Sequence, residues 1–239
     1  MAADLGRRVL AEAVGSCLLV AGVVGSGIAA TRLSPGDVGL QLLENTAATV
    51  GVLVALILAL GPASGAHFNP VVTLADRVLG GLDSATAGAY VAAQVVGCCA
   101  GAVLADLMFD LPPVDVSTKH RLSAATGLAE VVATFGLLLV ILGVVRSGRA
   151  SAAPFAVGAY IGGAYFFTSS TSFANPAVTL GRTLTDTFAG IAPSSAPGFI
   201  AAQLLGAGLA VACARALYPG LPAVADAVVV PHPTDQEHR

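Results

Sequence analysis

Six long apolar stretches alternate along the chain with short segments that are polar or rich in glycine and proline. The stretches cover residues 9–30, 42–60, 84–105, 124–145, 152–167 and 199–217. A helix crosses the hydrocarbon core of a bilayer with roughly 20 predominantly apolar residues, and the stretches are close to that length. The pattern therefore predicts an all-α membrane protein with six transmembrane helices.

Two shorter segments carry nearly the same sequence. The first reads SGAHFNPVVTL over residues 64–74, and the second reads SFANPAVTL over residues 172–180. Asparagine is a good N-cap, and proline at the first helical position has a pre-set φ and lacks an N–H that would have no partner there. The two segments therefore predict two re-entrant half-helices, which begin at Asn69 and Asn175 and are too short to cross the membrane.

The two halves of the chain repeat one unit. Three pairs of positions correspond at similar offsets of 118, 106 and 109 residues: Glu12 with Glu130, Asn69 with Asn175, and Gln94 with Gln203. Each unit contains three spans, and an odd number of spans places the second unit upside down relative to the first. The chain is therefore predicted to be an inverted repeat about an axis in the membrane plane.

Domain limits and orientation follow from the same pattern. Residues 1–218 are predicted to form a single transmembrane channel domain, with repeat halves at about 7–106 and 124–218. Residues 219–239 lack a helical period and are predicted to be a cytoplasmic tail. Seven of the eleven basic residues lie on one side if both termini are cytoplasmic, and four lie on the other. This excess predicts that both termini are inside.

Composition narrows the function further. The chain is 56% hydrophobic, only 10% charged, and carries a net charge of −3. Its lysines and arginines are scattered, so a nucleic-acid partner is not expected. The four cysteines lie in apolar stretches without a Cys-x-x-Cys spacing or a partner histidine, so no metal site and no cofactor are predicted.

The two half-helices are the features that predict a function. Irregular backbone at membrane depth must be buried in protein or line an aqueous cavity. If the two helix starts meet at the midplane, their positive dipole ends oppose the passage of cations and protons. The amides of Asn69 and Asn175 could still donate to a neutral solute, and carbonyls of residues 65–67 and 170–173 could accept. This arrangement describes a passive pore for small uncharged polar molecules.

These motifs together resemble those of the major intrinsic protein family, the aquaporins and aquaglyceroporins. The resemblance covers residues 7 to about 218. It rests on Ala-Glu near the start of each half, Ser-Gly-Ala-His-Phe-Asn-Pro, the second Asn-Pro-Ala, and Ala-Gln-x-x-Gly in the third and sixth spans. It implies an aquaporin-like bundle of six helices and two half-helices, a pore in each protomer, a homotetramer in the lipid bilayer, and a multi-pass location in the inner cell membrane.

The resemblance also implies roles for particular residues. Asn69 and Asn175 match the pore asparagines, and Glu12 and Glu130 match buried acids that brace the re-entrant loops. His67 matches a histidine of the inner vestibule. The remaining motif positions are Pro70, Val71, Pro176 and Ala177.

The chain departs from the family in two places. Val71 replaces the alanine of the first Asn-Pro-Ala, which is either a neutral swap or a change in selectivity. Val178 stands where the second motif normally has the arginine of the outer constriction. Counted from the motifs, the other filter positions are Thr49, Ser172, and either Gly163 or Tyr165. Arg182, one turn beyond Val178 and on a similar face, could reach back toward the mouth, but it is expected at the outer surface.

The absence of the filter arginine resembles a bacterial branch associated with arsenic handling. A filter of small residues without that arginine should pass larger neutral solutes: water, glycerol-like polyols, and metalloid hydroxides such as arsenite, which is As(OH)₃ at neutral pH. The alternatives are an ion-coupled secondary transporter, which can also have inverted repeats, and a structural or adhesive membrane protein. An enzyme is not expected, because the spans contain no nucleophile–base pair.

Overall fold

The computed structural model describes residues 2–218 of the chain. Within this range the elements are eight α-helices, with short 3-10 turns at Ala150–Ala152 and Arg182–Leu184. The helices are α1 (Ala2–Leu33), α2 (Val38–Ser64), α3 (Pro70–Leu79), α4 (Ser84–Met108), α5 (Ala124–Arg146), α6 (Ala153–Phe167), α7 (Pro176–Gly181) and α8 (Ala196–Leu217).

Six helices are long and apolar enough to cross a membrane, namely all except α3 and α7. The predicted all-helical architecture of six spans is therefore confirmed. The predicted tail at residues 219–239 lies outside the described residues. The limits of the channel domain and of its two halves stay predictions.

The helices pack in two corresponding sets. In the first half α1 lies against α4 and α2, and in the second α5 lies against α8 and α6. The half-helix α3 contacts α4 and α8, and α7 contacts the same two helices. Each half-helix is therefore held by the last long helix of both halves, which places the two half-helices side by side inside the bundle.

Glycines allow the closest contacts between helices, and they stand at corresponding positions in the two halves of the repeat. A Cβ at Gly97 in α4 would lie 2.3 Å from the carbonyl oxygen of Ala13 in α1. The corresponding residue in α8 is Gly206, where a Cβ would lie 2.5 Å from the carbonyl oxygen of Val131 in α5. Such distances leave no room for any side chain, so both helix pairs depend on glycine at these positions.

The loop at residues 109–123 pairs with the segment that follows α7. The backbone N–H of Ser117 donates to Thr183 O at 3.0 Å, and that of Ala192 donates to Lys119 O at 2.8 Å. The carboxylate of Asp186 accepts from the N–H of Thr118 at 3.0 Å and from its hydroxyl at 2.9 Å. The two loops therefore form one cover beside the C-terminal end of α7.

Replacing Asp186 by asparagine should loosen this cover. The N–H and hydroxyl of Thr118 and the ammonium of Lys119 hold the pKa of Asp186 below its usual range. The contact is therefore present above the ordinary carboxyl range and is lost as the pH falls through the lowered pKa. We expect faster amide exchange at Thr118 in Asp186→Asn at neutral pH, measured by hydrogen–deuterium exchange. Asp115→Asn, an exposed acid of the same loop, is the control; equal exchange in both variants would contradict the assignment.

Candidate functional site

A cavity that is partly open to solvent lies between the two halves. One part of its wall is apolar and comes from the long helices: Leu19, Val23, Leu53, Ile57, Leu137, Ile141, Val157 and Ile161. The other part comes from the segments before the half-helices: Ala66, His67, Phe68, Asn69, Ser172, Phe173, Ala174 and Asn175. The cavity is therefore apolar on one side and lined by irregular backbone on the other.

The two half-helices begin at the asparagines, as predicted. The side-chain oxygen of Asn69 accepts from the N–H of Val71 at 3.1 Å. That of Asn175 accepts from the N–H groups of Ala177 and Val178 at 3.0 and 3.2 Å. Both helices have proline directly after the cap. The motif residues therefore do what their chemistry predicts for a helix start.

The asparagines also tie the two halves to each other. The amide nitrogen of Asn69 donates to Ala174 O at 2.8 Å, and that of Asn175 donates to Phe68 O at 2.8 Å. Each amide nitrogen carries two hydrogens, so this contact leaves one hydrogen on each. Because both residues line the cavity, the structure brings two amide donors to one point of the cavity wall.

Glu12 holds the first irregular segment. Its carboxylate accepts from the N–H groups of His67 and Phe68 at 3.0 and 2.7 Å. It also accepts from the hydroxyl of Ser64 at 2.6 Å and the amide of Gln94 at 2.8 Å. These four contacts use both carboxylate oxygens of a fully buried acid, so the carboxylate fixes backbone that no helix or sheet would satisfy.

Glu130 does the same in the second half. Its carboxylate accepts from the N–H groups of Phe173 and Ala174, both at 2.9 Å, and from the amide of Gln203 at 2.7 Å. The segment that it holds has left-handed backbone at Ser172 (φ 51°) and Ala174 (φ 46°). Such conformations cost a non-glycine residue on the order of 1–3 kcal/mol. The carboxylate of Glu130 stabilises them, because it holds the N–H groups of Phe173 and Ala174.

Four of the predicted filter residues lie in the wall of the same cavity. Thr49, Tyr165, Ser172 and Val178 all line it, and each is buried. The hydroxyl of Tyr165 donates to Thr49 Oγ1 at 3.3 Å, which connects α6 to α2. Gly163 does not join them: it is exposed, and a Cβ there would meet nothing within 4 Å.

Arg182 corrects one expectation from the sequence. It was expected at the outer surface, but it is only 4% exposed and lines the cavity with Val178 and Ser172. The reason is the direction of side chains on a helix, which lean toward the N-terminus and cover the preceding turn. A residue one turn beyond Val178 therefore reaches back over Val178.

Val71 is off the cavity. It is fully buried, packs in the core, and is absent from the cavity wall, where Val72 appears instead. The first departure from the family motif therefore lies behind the helix start. This geometry favours the alternative of a neutral swap that repacks the core.

His67 faces the cavity, and it has a partner that sequence reasoning missed. Its Nδ1 lies 3.1 Å from Thr73 Oγ1, and its Nε2 lies 3.6 Å from a carboxylate oxygen of Asp76. Its ring makes an edge contact with Tyr90. The signal for Asp76 was an acid inside a half-helix, seven residues after Asn69. Within residues 2–218, no group of three or more histidine, cysteine or acidic side chains has the arrangement to hold a metal ion.

The chain is similar to known channels in sequence and in fold. A family model described as "Major intrinsic protein" matches residues 2–172. The chain is 54% identical to Aquaglyceroporin AqpS of Rhizobium meliloti (strain 1021), over 92% of this chain and 94% of that protein. It is 34% identical to Aquaporin NIP1-3 of Oryza sativa subsp. japonica, over 74% and 63% of the two chains. The fold matches the X-ray structure of the aquaglyceroporin from Plasmodium falciparum with a TM-score of 0.65 at 18% identity, over 92% of this chain and 99% of that one.

Replacing Glu130 by glutamine should disrupt the second loop. An amide offers one acceptor oxygen where the carboxylate offers two, so an N–H of Phe173 or Ala174 loses its partner. A hydrogen bond to a charged group contributes about 1.5–3 kcal/mol. We therefore expect a lower melting temperature in detergent and at least tenfold slower water flux in proteoliposomes. Glu44→Gln, a partly exposed acid in α2, is the matched control; wild-type flux in Glu130→Gln would argue against the bracing role.

Replacing Val71 by alanine should affect stability but not selectivity. The change removes buried methyl groups from the core and costs about 2 kcal/mol. Because Val71 is absent from the cavity wall, we expect the melting temperature to fall and the ratio of glycerol to water permeability to stay within twofold. Stopped-flow light scattering measures the ratio. A larger change in that ratio would show that this position does affect selectivity.

Proposed function

The chain belongs to the major intrinsic protein family and is a passive membrane channel, and we propose that its cavity conducts water, glycerol-like polyols and other uncharged solutes of about glycerol size. A channel of this family passes small neutral molecules such as water and glycerol, and it is not an enzyme. The proposed feature is a filter that is wide enough for solutes of glycerol size. The observation that carries it is that three small side chains, Thr49, Ser172 and Val178, line the cavity together, with Val178 in the place of the family's arginine.

The wall of the cavity suits a polyol. A polyol presents hydroxyl groups along one edge and C–H groups along the other. Loop backbone and the amides of Asn69 and Asn175 can pair with the hydroxyl edge, and the apolar side chains of the long helices can contact the other edge. The two-sided cavity therefore suits solutes that have both a polar and an apolar edge.

The mouth of the cavity sets the upper limit on size. Thr49, Ser172 and Val178 are all small side chains, and we propose that Tyr165 is the fourth filter residue because Gly163 lies outside the cavity. A mouth of this composition should accept metalloid hydroxides such as arsenite. As(OH)₃ is uncharged and resembles glycerol in size and in its three hydroxyl groups.

Passive conduction is favoured over ion-coupled transport by the contacts of Glu12 and Glu130. A coupled transporter needs an ionisable group that is free to bind an ion at membrane depth. Glu12 and Glu130 are instead committed to backbone N–H groups and glutamine amides. A purely adhesive role would not require the two asparagine amides that line the cavity.

We also propose that four copies assemble in the inner cell membrane, each with its own pore and with both termini in the cytoplasm. The outer faces of the long helices are apolar, as lipid and neighbouring copies require. Large exposed apolar residues on these faces include Leu58, Phe155, Phe166 and Leu205. The mass of the purified protein in detergent, measured by light scattering, tests the number of copies.

Wild-type protein in proteoliposomes should pass water, glycerol, urea and As(OH)₃. In Val178→Phe, a bulkier side chain without charge narrows the mouth. We therefore expect glycerol and As(OH)₃ permeability to fall at least tenfold, while water permeability falls less than threefold. Stopped-flow light scattering measures water, glycerol and urea, and uptake of arsenic by the vesicles measures As(OH)₃.

Val78→Phe is the control for this experiment, because Val78 is exposed on the outer face of α3. It makes the same chemical change away from the cavity and should leave every permeability unchanged. Wild-type vesicles that pass only water would contradict a wide filter, and glycerol flux without arsenic uptake would remove arsenite from the proposal.

A further inference from the structure

Arg182 is a buried cation in the cavity wall, and the proposed function does not account for it. The central carbon of its guanidinium lies 3.4 Å from the ring centroid of Phe173, and its Nε donates to the carbonyl of Ala189. Phe173 also lines the cavity. Stacking and the Nε contact fix the plane of the guanidinium against the wall.

The rest of the guanidinium is available to a solute. Arginine has five N–H donors, and only the Nε donor is used here. Among residues 2–218 nothing accepts from the two terminal amino groups of Arg182, and no carboxylate forms an ion pair with it. Neither amino group is sealed from the cavity. A buried unpaired charge is costly, so a charge kept in this position indicates a function.

A second arginine, Arg121, holds the loop whose carbonyl accepts from Arg182. Arg121 donates to Gly190 O at 2.6 Å and to Phe188 O at 2.8 Å. These two carbonyls flank Ala189, whose carbonyl receives Arg182. The guanidinium of Arg121 also lies 5.6 Å from the Phe173 ring centroid. Arg121 therefore fixes the loop that positions Arg182, while Arg182 itself faces the cavity.

The repeat gives independent support. Arg182 is seven residues after Asn175, and Asp76 is seven residues after Asn69. Each contacts the ring that stands two residues before the asparagine: Phe173 for Arg182, and His67 for Asp76. A charged residue thus stands at the same distance after the asparagine in both halves and contacts the corresponding ring, although the kind of contact differs and only Arg182 itself lines the cavity.

We propose that Arg182 is the filter cation of this channel, displaced by one helical turn from its usual position in the family. The displacement keeps a fixed positive charge at the mouth, which excludes protons and cations, while Val178 leaves the mouth wide. The proposal rests on the proposed function, and it adds a specificity-determining residue to it.

The same residue completes a binding site for a neutral polyhydroxy solute. A hydroxyl of the solute can accept from the amino groups of Arg182, which lines the cavity. Ser172 belongs to the same wall, but its hydroxyl oxygen is closed off from the cavity and has no hydrogen-bond partner among the described residues. Apolar contact with Val178 would complete the site on the C–H edge of the solute.

The first test compares Arg182→Gln with Arg32→Gln in proteoliposomes. Arg32 is a matched control: its guanidinium lies 5.1 Å from the Phe109 ring centroid and donates to one backbone carbonyl, but it is exposed. We expect Arg182→Gln to raise proton flux at least tenfold, measured with an enclosed pH-sensitive dye, and to lower glycerol permeability about fivefold. Arg32→Gln should match the wild type. Wild-type proton flux in a folded Arg182→Gln would overturn the proposal.

Two further variants separate this role from a structural one. Arg182→Lys keeps the charge but loses the planar fork, so proton flux should stay within twofold of the wild type while glycerol permeability falls. The double variant Val178→Arg with Arg182→Val moves the cation back by one turn. It should again exclude protons, but with a narrower mouth it should conduct glycerol at least tenfold more slowly than the wild type. Proton flux in either variant as high as that expected for Arg182→Gln would overturn the proposal.

The outcomes for this residue and for the proposed function are distinct. A wild-type channel that passes water alone would contradict the wide filter. The comparison of proton flux between the wild type and Arg182→Gln would still test the role of Arg182, because the pore would be filled with water. A wild-type channel that passes glycerol, with proton flux indifferent to Arg182, would retain the wide filter and contradict the displaced cation.

Discussion

The structure depends on the pairing of two buried carboxylates with backbone that has no other partner. At membrane depth a free N–H group finds no water, and each unsatisfied group costs several kcal/mol. Glu12 and Glu130 provide the acceptors for the segments before α3 and α7. Without them the chain could not leave the helical conformation inside the bundle, and the half-helices would have no place to begin. The glycine contacts of the long helices and the cavity between the halves serve an arrangement that these two acids make possible.

The cavity divides its tasks between side chains and backbone. Apolar side chains of the long helices, such as Leu53, Ile57 and Val157, supply a wall without hydrogen-bonding groups, so a solute that gives up its water there gains no replacement. The replacement comes from the opposite wall, where Asn69 and Asn175 keep one amide hydrogen each beyond the one used to join the halves. Selectivity for neutral solutes follows from this division, because a polar edge can be satisfied whereas a net charge cannot.

Much of this could be predicted from the sequence, and the failures have physical causes. Hydropathy and the repeated Asn-Pro motif predict all eight helices, because apolar length and capping chemistry are local properties. Which residues come together in the filter is not a local property, because they belong to elements that are distant in the sequence. Counting positions from the motifs could not decide whether Gly163 or Tyr165 is the fourth filter residue, because an insertion or deletion shifts the count. In the fold Gly163 is exposed, whereas Tyr165 lines the cavity. Arg182 was placed wrongly because helical spacing gives the face of a residue but not the direction in which a long side chain leans.

The reciprocal contacts of the asparagines constrain how the channel is made. The amide of Asn69 donates to the carbonyl of Ala174, which lies more than one hundred residues later in the chain. The amide of Asn175 donates to the carbonyl of Phe68 in the first half. The first three spans therefore cannot satisfy this amide of Asn69 by themselves, and the centre of the pore is complete only when the segment before α7 is in place. Neither half can therefore form the centre of the conduction path alone, because each asparagine amide takes its acceptor from the other half.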